Sequence, residues 1–162
     1  MQKITPVLWF DMKAEEAAEF YTSLLPDSHV DRVVPAPSDN PSGKKGYPML
    51  VEFTLMGTKY AGLNGGPYFT PNEAVSFQIL TEDQAETDRL WNAILAKGGS
   101  EGPCGWIKDP WGFSWQITPR RLIELTLEGG ERGERAAKAM LEMRKIDIAA
   151  LEAAADAEPA DA

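Results

Sequence analysis

The chain has 162 residues, of which 43% are hydrophobic and 25% charged, which is enough for one or two small domains with a buried core. A single cysteine, Cys104, and a single histidine, His29, exclude an intrachain disulfide framework and metal sites built from several such residues. The net charge of −9 argues against nucleic-acid or anionic-membrane partners, and no apolar run reaches the roughly 20 residues of a membrane span. Residues 1–6 also lack the apolar region of a signal peptide, so we expect a soluble, cytoplasmic protein.

The first half of the chain predicts a strand, a helix and three further strands. The run Val7–Phe10 is typical of a short strand. An apolar stripe at helical spacing then runs from Ala14 to Leu25, and Pro26 ends that helix. A long loop and a tight turn at Met56–Thr58 separate the three strands predicted after it, which are His29–Val34, Met49–Leu55 and Lys59–Leu63.

The second half repeats this order at an offset of 70 residues, from Val7 to Phe77. Thr81 with Gln84 resembles a capping box that opens the second helix, and Gly98-Gly99 ends it. Asp109–Gly112 has the residues of a type I turn. The short strands predicted around this turn are Ser100-Glu101, Cys104–Lys108 and Phe113–Thr118.

A change of composition marks the C-terminal tail. All the aromatic residues precede Gly129-Gly130, and the residues after it are rich in Ala, Glu, Lys and Arg. We predict one helix over Arg132–Ala155, docked on the body or on a partner subunit, with a frayed end at Ala157–Ala162. The expected division is therefore a body over residues 1–127, in halves of about 1–70 and 71–127, and a helical tail over 128–162.

Several segments of the chain together resemble one known superfamily. They are Ile4–Asp11, Phe20-Tyr21, Leu63–Pro67, Cys104–Asp109, Gly112–Gln116 and Met143–Asp147. They are similar to the vicinal oxygen chelate superfamily of glyoxalases, bleomycin-resistance proteins and extradiol dioxygenases, and within it to the PhnB-like branch, which carries a demethylubiquinone-methyltransferase label. The resemblance implies an α+β fold of paired βαβββ modules that form a cup-shaped mixed sheet, here with a C-terminal helix.

Enzymes of this superfamily hold a divalent metal in the cup through His, Gln or Glu side chains on four strands. The resemblance places these four positions on Pro6, Leu63 or Asn64, Ser76 and Gln116. Pro and Leu offer no side-chain donor, and Asn, Ser and neutral Gln are weak ligands for a divalent transition metal. We therefore expect no metal and no other cofactor.

Strand alternation extends this set to a candidate pocket. Gln116 brings Ser114 to the same face, and Ser76 brings Gln78 and Leu80. Pro6, Leu8 and Phe10 are expected beside them, and on the seventh strand we favour Cys104, Trp106 and Lys108 over Gly105 and Ile107. With Asn64 at the rim, the predicted ligand-binding residues are Pro6, Leu8, Asn64, Ser76, Gln78, Cys104, Trp106, Ser114 and Gln116. No residue is assigned a catalytic role.

Other chemically interesting residues have plain structural explanations. Cys104 has no base or cation as an evident neighbour to form a thiolate, and packing is favoured for it. His29 is expected at an exposed strand start rather than in a metal site. Asn64–Pro67 predicts a turn rather than an anion cradle, because no helix follows it. Trp111 is expected in a turn, exposed or against a partner subunit.

Three functions remain open at this stage. The favoured hypothesis is a metal-free, small-molecule-binding homodimer whose pockets are closed by sheets from both chains, with a neutral aromatic pocket that suits many ligands. The alternative is a divalent-metal lyase, isomerase or dioxygenase that uses Gln116 and atypical ligands. A methyltransferase is disfavoured because the sequence lacks a Gly-rich strand–turn–helix for a methyl-donor nucleotide.

Overall fold

The computed structural model describes residues 3–157 as an α+β fold of two compact units, the first ending at Pro71 and the second beginning at Asn72. Each unit contains a four-stranded mixed sheet with a helix between its first two strands. The fold class expected from the sequence is therefore confirmed. Of the helices within these residues, none is long and apolar enough to cross a membrane.

The first unit follows the predicted element order closely. Its elements are β1 (Val7–Phe10), α1 (Ala14–Leu24), β2 (His29–Pro35), β3 (Pro48–Leu55) and β4 (Thr58–Asn64). The strand order is β1-β4-β3-β2, with β1 parallel to β4 and the other pairs antiparallel. Each predicted strand is present, and its bounds differ from the prediction by one residue at most at either end.

Small residues bring α1 close to this sheet. Ala14, Ala17 and Ala18 are buried on the helix. A Cβ added to Gly62 of β4 would lie only 2.9 Å from the Ala14 Cβ, so a larger residue at position 62 would push the helix away. The rings of Tyr21 and Phe53 lie 6.1 Å apart across the same interface. This face of the sheet therefore forms the core of the first unit.

The second unit repeats the arrangement with shorter strands. Its elements are β5 (Ser76–Thr81), α2 (Gln84–Lys97), β6 (Ser100–Glu101), β7 (Trp106–Lys108) and β8 (Ser114–Pro119). The strand order is β5-β8-β7-β6, and β5 runs parallel to β8. The side chains of β5, β7 and β8 that form the core with α2 are Ile79, Ile107, Trp115 and Ile117.

The start of α2 differs from the prediction. Asp83, not Thr81, is the N-cap residue, and its carboxylate accepts a hydrogen bond from the Glu86 N–H at 2.8 Å. The Glu86 carboxylate in turn accepts from the Glu82 N–H, so the reciprocal arrangement lies two residues further along the chain than predicted. The Thr81 hydroxyl instead lies 2.6 Å from that of Thr87, which places this side of β5 against α2.

Residues of β1 and β5 that lie 70 positions apart do not share the same orientation toward their helices, which corrects one prediction. Leu8 and Phe10 face α1, because the Phe10 ring lies beside Gly62 on the side of Ala14. They do not line an open face as expected. The predicted match assumed a constant offset of 70 residues, whereas β1 is followed by one extra residue before its helix. Met12, with a φ of 55°, lies in that longer connection.

Two helices replace the single tail helix predicted over Arg132–Ala155, and a further helix that the sequence did not predict precedes them at the end of the expected body. In chain order, the three helices are α3 (Arg120–Glu128), α4 (Gly130–Leu141) and α5 (Ile148–Asp156). The break occurs because Asp147 starts a new helix, its carboxylate accepting from the Ala150 N–H at 2.9 Å. A small core joins the three helices through Leu122, Leu125, Ala136, Ile146, Leu151 and Ala155. The predicted frayed end, apart from Ala157, lies outside the described residues.

Backbone hydrogen bonds dock the tail on the second sheet, one of the two placements expected. The N–H groups of Cys104 and Gly105 donate to the carbonyls of Met143 and Arg144, both at 2.7 Å. The Gln84 amide donates to the Ile146 carbonyl at 3.1 Å and accepts from the Ile148 N–H at 2.9 Å. Cys104 therefore lies in a turn with a φ of 56°, not within the predicted strand, which begins at Trp106.

Asn64 holds the start of α1 from the end of β4. Its side chain is 1% exposed, its Oδ1 accepts from the Ala14 N–H at 2.8 Å, and its Nδ2 donates to the Pro48 carbonyl at 2.8 Å. Since Lys13, the N-cap residue of α1, provides no side-chain cap, this distant amide does so.

We expect Asn64→Ala to lower the free energy of unfolding by about 2–3 kcal/mol, because it leaves the buried Ala14 N–H without its cap and removes a donor from the half-buried Pro48 carbonyl. Urea unfolding followed by tryptophan fluorescence measures the change. Asn92→Ala, at an exposed position of α2, is the matched control and should stay within about 0.5 kcal/mol of the parent. Equal effects of the two substitutions would contradict the capping role.

Candidate functional site

The face of the second sheet turned away from α2 carries neutral polar side chains. In the strand register Ser76 pairs with Ser114, and Gln78 pairs with Gln116. The Gln116 Nε2 donates to the Ser76 Oγ at 2.8 Å, and the Gln78 Nε2 donates to the Thr118 Oγ1 at 3.2 Å. The sequence prediction that Ser76, Gln78, Ser114 and Gln116 share one face agrees with this register.

A cavity of about 450 Å³ lies on this face, and we refer to it as the second-sheet cavity. Trp106 and Pro103 form apolar parts of its wall, and Ser100, Gly102 and Lys108 lie beside them. A Cβ on Gly102 would lie 3.0 Å from the Trp106 carbonyl oxygen, which is a tight contact, so this edge of the wall favours glycine. The volume is in the range of small-molecule sites.

The charged groups of the second-sheet cavity are already paired. Lys108 Nζ lies 2.5 Å from a carboxylate oxygen of Glu73, which precedes β5. This hydrogen bond from Lys108 holds the pKa of the Glu73 carboxyl below its usual range. The Glu101 carboxylate accepts from the Trp91 Nε1 on α2 at 3.1 Å, and Arg144 of the tail lies 4.0 Å from it.

Ser114 stands apart from the other polar groups of this face. It is 1% exposed, it lines the second-sheet cavity, and its Oγ has no hydrogen-bond partner among the residues the structure describes. Leaving a buried hydroxyl unpaired costs about 1–3 kcal/mol, so such groups are rare in folded proteins. A ligand that hydrogen-bonds to Ser114 would remove this cost.

The first unit has its own cavity of about 390 Å³, on the face of its sheet turned away from α1. Its apolar lining includes Val7, Leu50 and Ala61, and its charged groups are Asp31, Glu52 and Lys59. Thr5 also lines it and lies 71 residues before Ser76. Because the face of β1 is shifted by one residue, Thr5 rather than Pro6 is the counterpart of Ser76.

Asp31 is the centre of the polar contacts in this first cavity. Its carboxylate lies 2.6 Å from Lys59 Nζ, 2.8 Å from the Thr54 hydroxyl and 3.3 Å from His29 Nε2. The hydrogen bond from Lys59 lowers the pKa of Asp31, against a smaller upward effect of burial. His29 lies at an exposed strand start, as the sequence predicted.

Of the predicted pocket residues, Trp106 and Ser114 line the second-sheet cavity. Ser76, Gln78 and Gln116 share that face of the sheet but are not among the residues that line the cavity, and the other four lie elsewhere.

Leu8 packs on the α1 side of its sheet. The Asn64 amide forms hydrogen bonds with the Ala14 N–H and the Pro48 carbonyl. The Pro6 carbonyl accepts from the Ala61 N–H at 3.0 Å, at the entry to β1. Cys104 lies in the turn beneath the tail and is not part of the lining of the second-sheet cavity.

Two other candidates have structural roles. The Gly65 and Gly66 N–H groups both donate to the Phe10 carbonyl, at 3.0 and 3.3 Å, so they are not available to cradle an anion. Trp111 lies in the predicted turn, with Lys97 Nζ 5.9 Å from the centre of its ring. Sequence reasoning missed Glu73, Ser100 and Pro103 as wall residues, and only the Gly102-Pro103 step beside Trp106 signalled a loop there.

The side chains at the implied metal positions do not fit a divalent metal. Ser76 and Gln116 are neutral and hydrogen-bonded to each other, and Thr5 offers only a hydroxyl. Within residues 3–157, no three His, Cys, Asp or Glu side chains lie together in an arrangement that could hold a metal ion.

Comparison with known proteins agrees with this architecture. The family model described as 3-demethylubiquinone-9 3-methyltransferase matches residues 2–118. The chain belongs to this family. It is the PhnB-like branch of the vicinal oxygen chelate superfamily, and α3, α4 and α5 lie beyond the matched region. No curated protein sequence matches the chain.

Solved structures include close relatives of the family fold. A protein from Bacillus cereus, described as a putative 3-demethylubiquinone-9 3-methyltransferase and PhnB protein, is 32% identical with a TM-score of 0.63. That match covers 73% of this chain and 99% of the other. Protein PA1353 from Pseudomonas aeruginosa shares the fold at 21% identity and a TM-score of 0.59, over 74% of this chain and 98% of its own.

We expect Asp31 to titrate below the ordinary aspartate value of about 3.9, and Lys59→Gln to raise its pKa. Since folding depresses this pKa, the stabilisation from Asp31 is present at neutral pH and is lost as the pH falls below about 4. Carboxyl-carbon NMR titration measures the pKa directly. Lys13→Gln, which removes the exposed partner of Glu16, is the control and should leave it unchanged. If the pKa of Asp31 is unchanged in Lys59→Gln, Lys59 is not the cause of its lowered value.

Proposed function

We propose that this PhnB-like protein binds a small organic molecule without a metal, in the second-sheet cavity. The observation that carries the proposal is the buried Ser114 hydroxyl, which lines a cavity of about 450 Å³ and lacks a partner among the described residues. Apolar walls with a few fixed polar groups are the usual composition of a small-molecule site.

The neutral polar pair beside the second-sheet cavity supports binding rather than metal catalysis. Ser76 and Gln116 hold each other through a neutral hydrogen bond, and neither supplies a charged ligand. The metal-dependent lyase, isomerase or dioxygenase alternative would have to use the neutral Gln116 amide oxygen and recruit further donors, because Ser76 offers only a hydroxyl. The proposal therefore places an organic ligand in the second-sheet cavity, on the same face of the sheet as this pair.

The name of the family favours a second candidate, a methyltransferase. The two strand–helix connections are the places where a nucleotide or its acidic groups would sit at a helix N-terminus. Asp11, Met12 and Lys13 form the first, and Glu82 and Asp83 the second, so neither contains glycine. The N-termini of both helices are already capped, by Asn64 and by Asp83. These contacts argue against a methyl-donor site.

A homodimer and a cytoplasmic location complete the proposal. The dimer rests on the superfamily resemblance alone, since the tail docks within its own chain. β1 and β5 are each the outer strand of a four-stranded sheet within their own unit. In the proposed assembly, sheets from both chains close the pockets.

Native mass spectrometry of protein purified without chelator tests these features together. We expect twice the 17.8 kDa chain mass, an organic molecule that dissociates on activation, and no stoichiometric metal. Denatured protein from the same preparation serves as the control for nonspecific adducts. A stoichiometric divalent metal that survives dialysis would contradict the proposal and favour the metal-dependent alternative.

Calorimetric titration with S-adenosylmethionine tests the methyltransferase candidate. We expect no measurable heat of specific binding, because both helix N-termini are occupied by side chains of the chain itself. Buffer titrated with the same ligand is the blank. Saturable binding at micromolar concentration would restore the methyltransferase as the better proposal.

A further inference from the structure

We infer that the second-sheet cavity takes an uncharged aromatic compound that carries a hydroxyl or carbonyl group, with its oxygen on Ser114 and its ring against Trp106. The inference rests on the proposed function and names the class of its ligand. Three features of the cavity lead to it: the buried hydroxyl, the aromatic wall and the internal pairing of the charges.

Ser114 supplies the hydrogen-bonding point. It lies on β8, between Ser76 of β5 and Lys108 of β7 in the strand register, and so in the floor of the second-sheet cavity. A serine hydroxyl both donates and accepts, so its partner can be a ligand hydroxyl or carbonyl. A ligand that forms this bond removes the cost of leaving the hydroxyl unpaired.

Trp106 supplies the surface for a ring. It is half-buried on β7, opposite Gln116 in the register, and it lines the same cavity as Ser114. The Gly102 N–H donates to the Trp106 carbonyl at 2.8 Å, which fixes the backbone on which the indole stands. Aromatic rings stack or meet edge to face with such a surface.

The charges of the cavity favour a neutral ligand. Lys108 is paired with Glu73 at 2.5 Å, and the carboxylate of Glu101 is engaged by Trp91 on the α2 side of the sheet. An anionic ligand would have to displace Glu73 from Lys108, and a cationic ligand would have to compete with Lys108 for Glu73 or with Arg144 for Glu101. A neutral ligand breaks neither ion pair and loses less hydration than an ion.

Three probes of one ring system separate the ligand classes. They are neutral 2-naphthol, anionic 2-naphthoate and cationic 2-naphthylmethylammonium, titrated into the full-length protein at pH 7 by calorimetry and by ¹H–¹⁵N NMR. We expect 2-naphthol to bind at least about fivefold more tightly than either charged probe, since an ion loses much more hydration free energy on entering the cavity than a hydroxyl does. Binding should shift the Trp106 indole and Ser114 amide resonances.

Ser114→Ala tests the hydrogen bond independently of folding. We expect it to weaken 2-naphthol binding about two- to tenfold, while raising the urea midpoint of the ligand-free protein because an unpaired hydroxyl is removed. Ser38→Ala, the same change at an exposed position of the first unit that lines neither cavity, should change the affinity for 2-naphthol less than about twofold and leave the urea midpoint unchanged. A Ser114→Ala variant that is less stable and binds 2-naphthol normally would overturn the inference.

The remaining outcomes separate the ligand class from the function. Tighter binding of 2-naphthoate that is lost in Lys108→Gln would overturn the neutral class and leave the proposed function intact, with the ligand replacing Glu73. If no probe shifts Trp106, the inference is overturned, and the proposed function then depends on the copurified molecule seen by native mass spectrometry.

Discussion

The packing of each sheet against its helix determines which side chains remain for a ligand. Side chains alternate along a strand, so one set is buried under the helix and the other faces away. The connection between the first strand and the helix fixes which set is buried. Three residues make this connection in the first unit and two in the second, and Met12 takes a left-handed conformation in the longer one. The one extra residue therefore shifts the helix-facing positions of β1 by one residue relative to those of β5.

In the second unit this alternation leaves hydroxyl and amide groups on the open face. Burial of Ile79, Trp115 and Ile117 under α2 requires their neighbours in the strands to face the other way. Those neighbours include Ser114 and Gln116, which are neutral at every accessible pH. The chemistry of the open face thus follows from the core: it can orient a ligand by hydrogen bonds, and it lacks charged metal donors.

Local patterns in the sequence predicted most of the fold. Strand alternation, the alanine stripe of α1 and the glycine end of α2 are local signals, and the strands of both units, with α1 and α2, were found from them. They also placed Ser76, Ser114 and Gln116 on one face. The face of β1 was wrong because a constant offset hides an insertion in a connection. Sequence similarity alone does not show which of the two alternating sets of side chains on a strand faces the helix.

The features that sequence reasoning missed depend on contacts between distant residues. Asn64 caps a helix 50 positions earlier in the chain, and Gln84 binds the tail 62 and 64 positions later. Cys104 leaves its predicted strand because tail carbonyls bind the backbone beside it. The Glu73–Lys108 pair joins a loop to β7 in the same way. No pattern among neighbouring residues in the sequence indicates any of these pairings.

The most direct test of the account is a crystal structure of the full-length protein as purified, at a resolution that shows ordered water. The account predicts Gln116 hydrogen-bonded to Ser76, and an organic molecule or water in the cavity about 2.5–3.0 Å from the Ser114 Oγ. A metal ion between Ser76 and Gln116, or a Ser114 hydroxyl bonded to another protein group with the cavity filled by side chains, would contradict it.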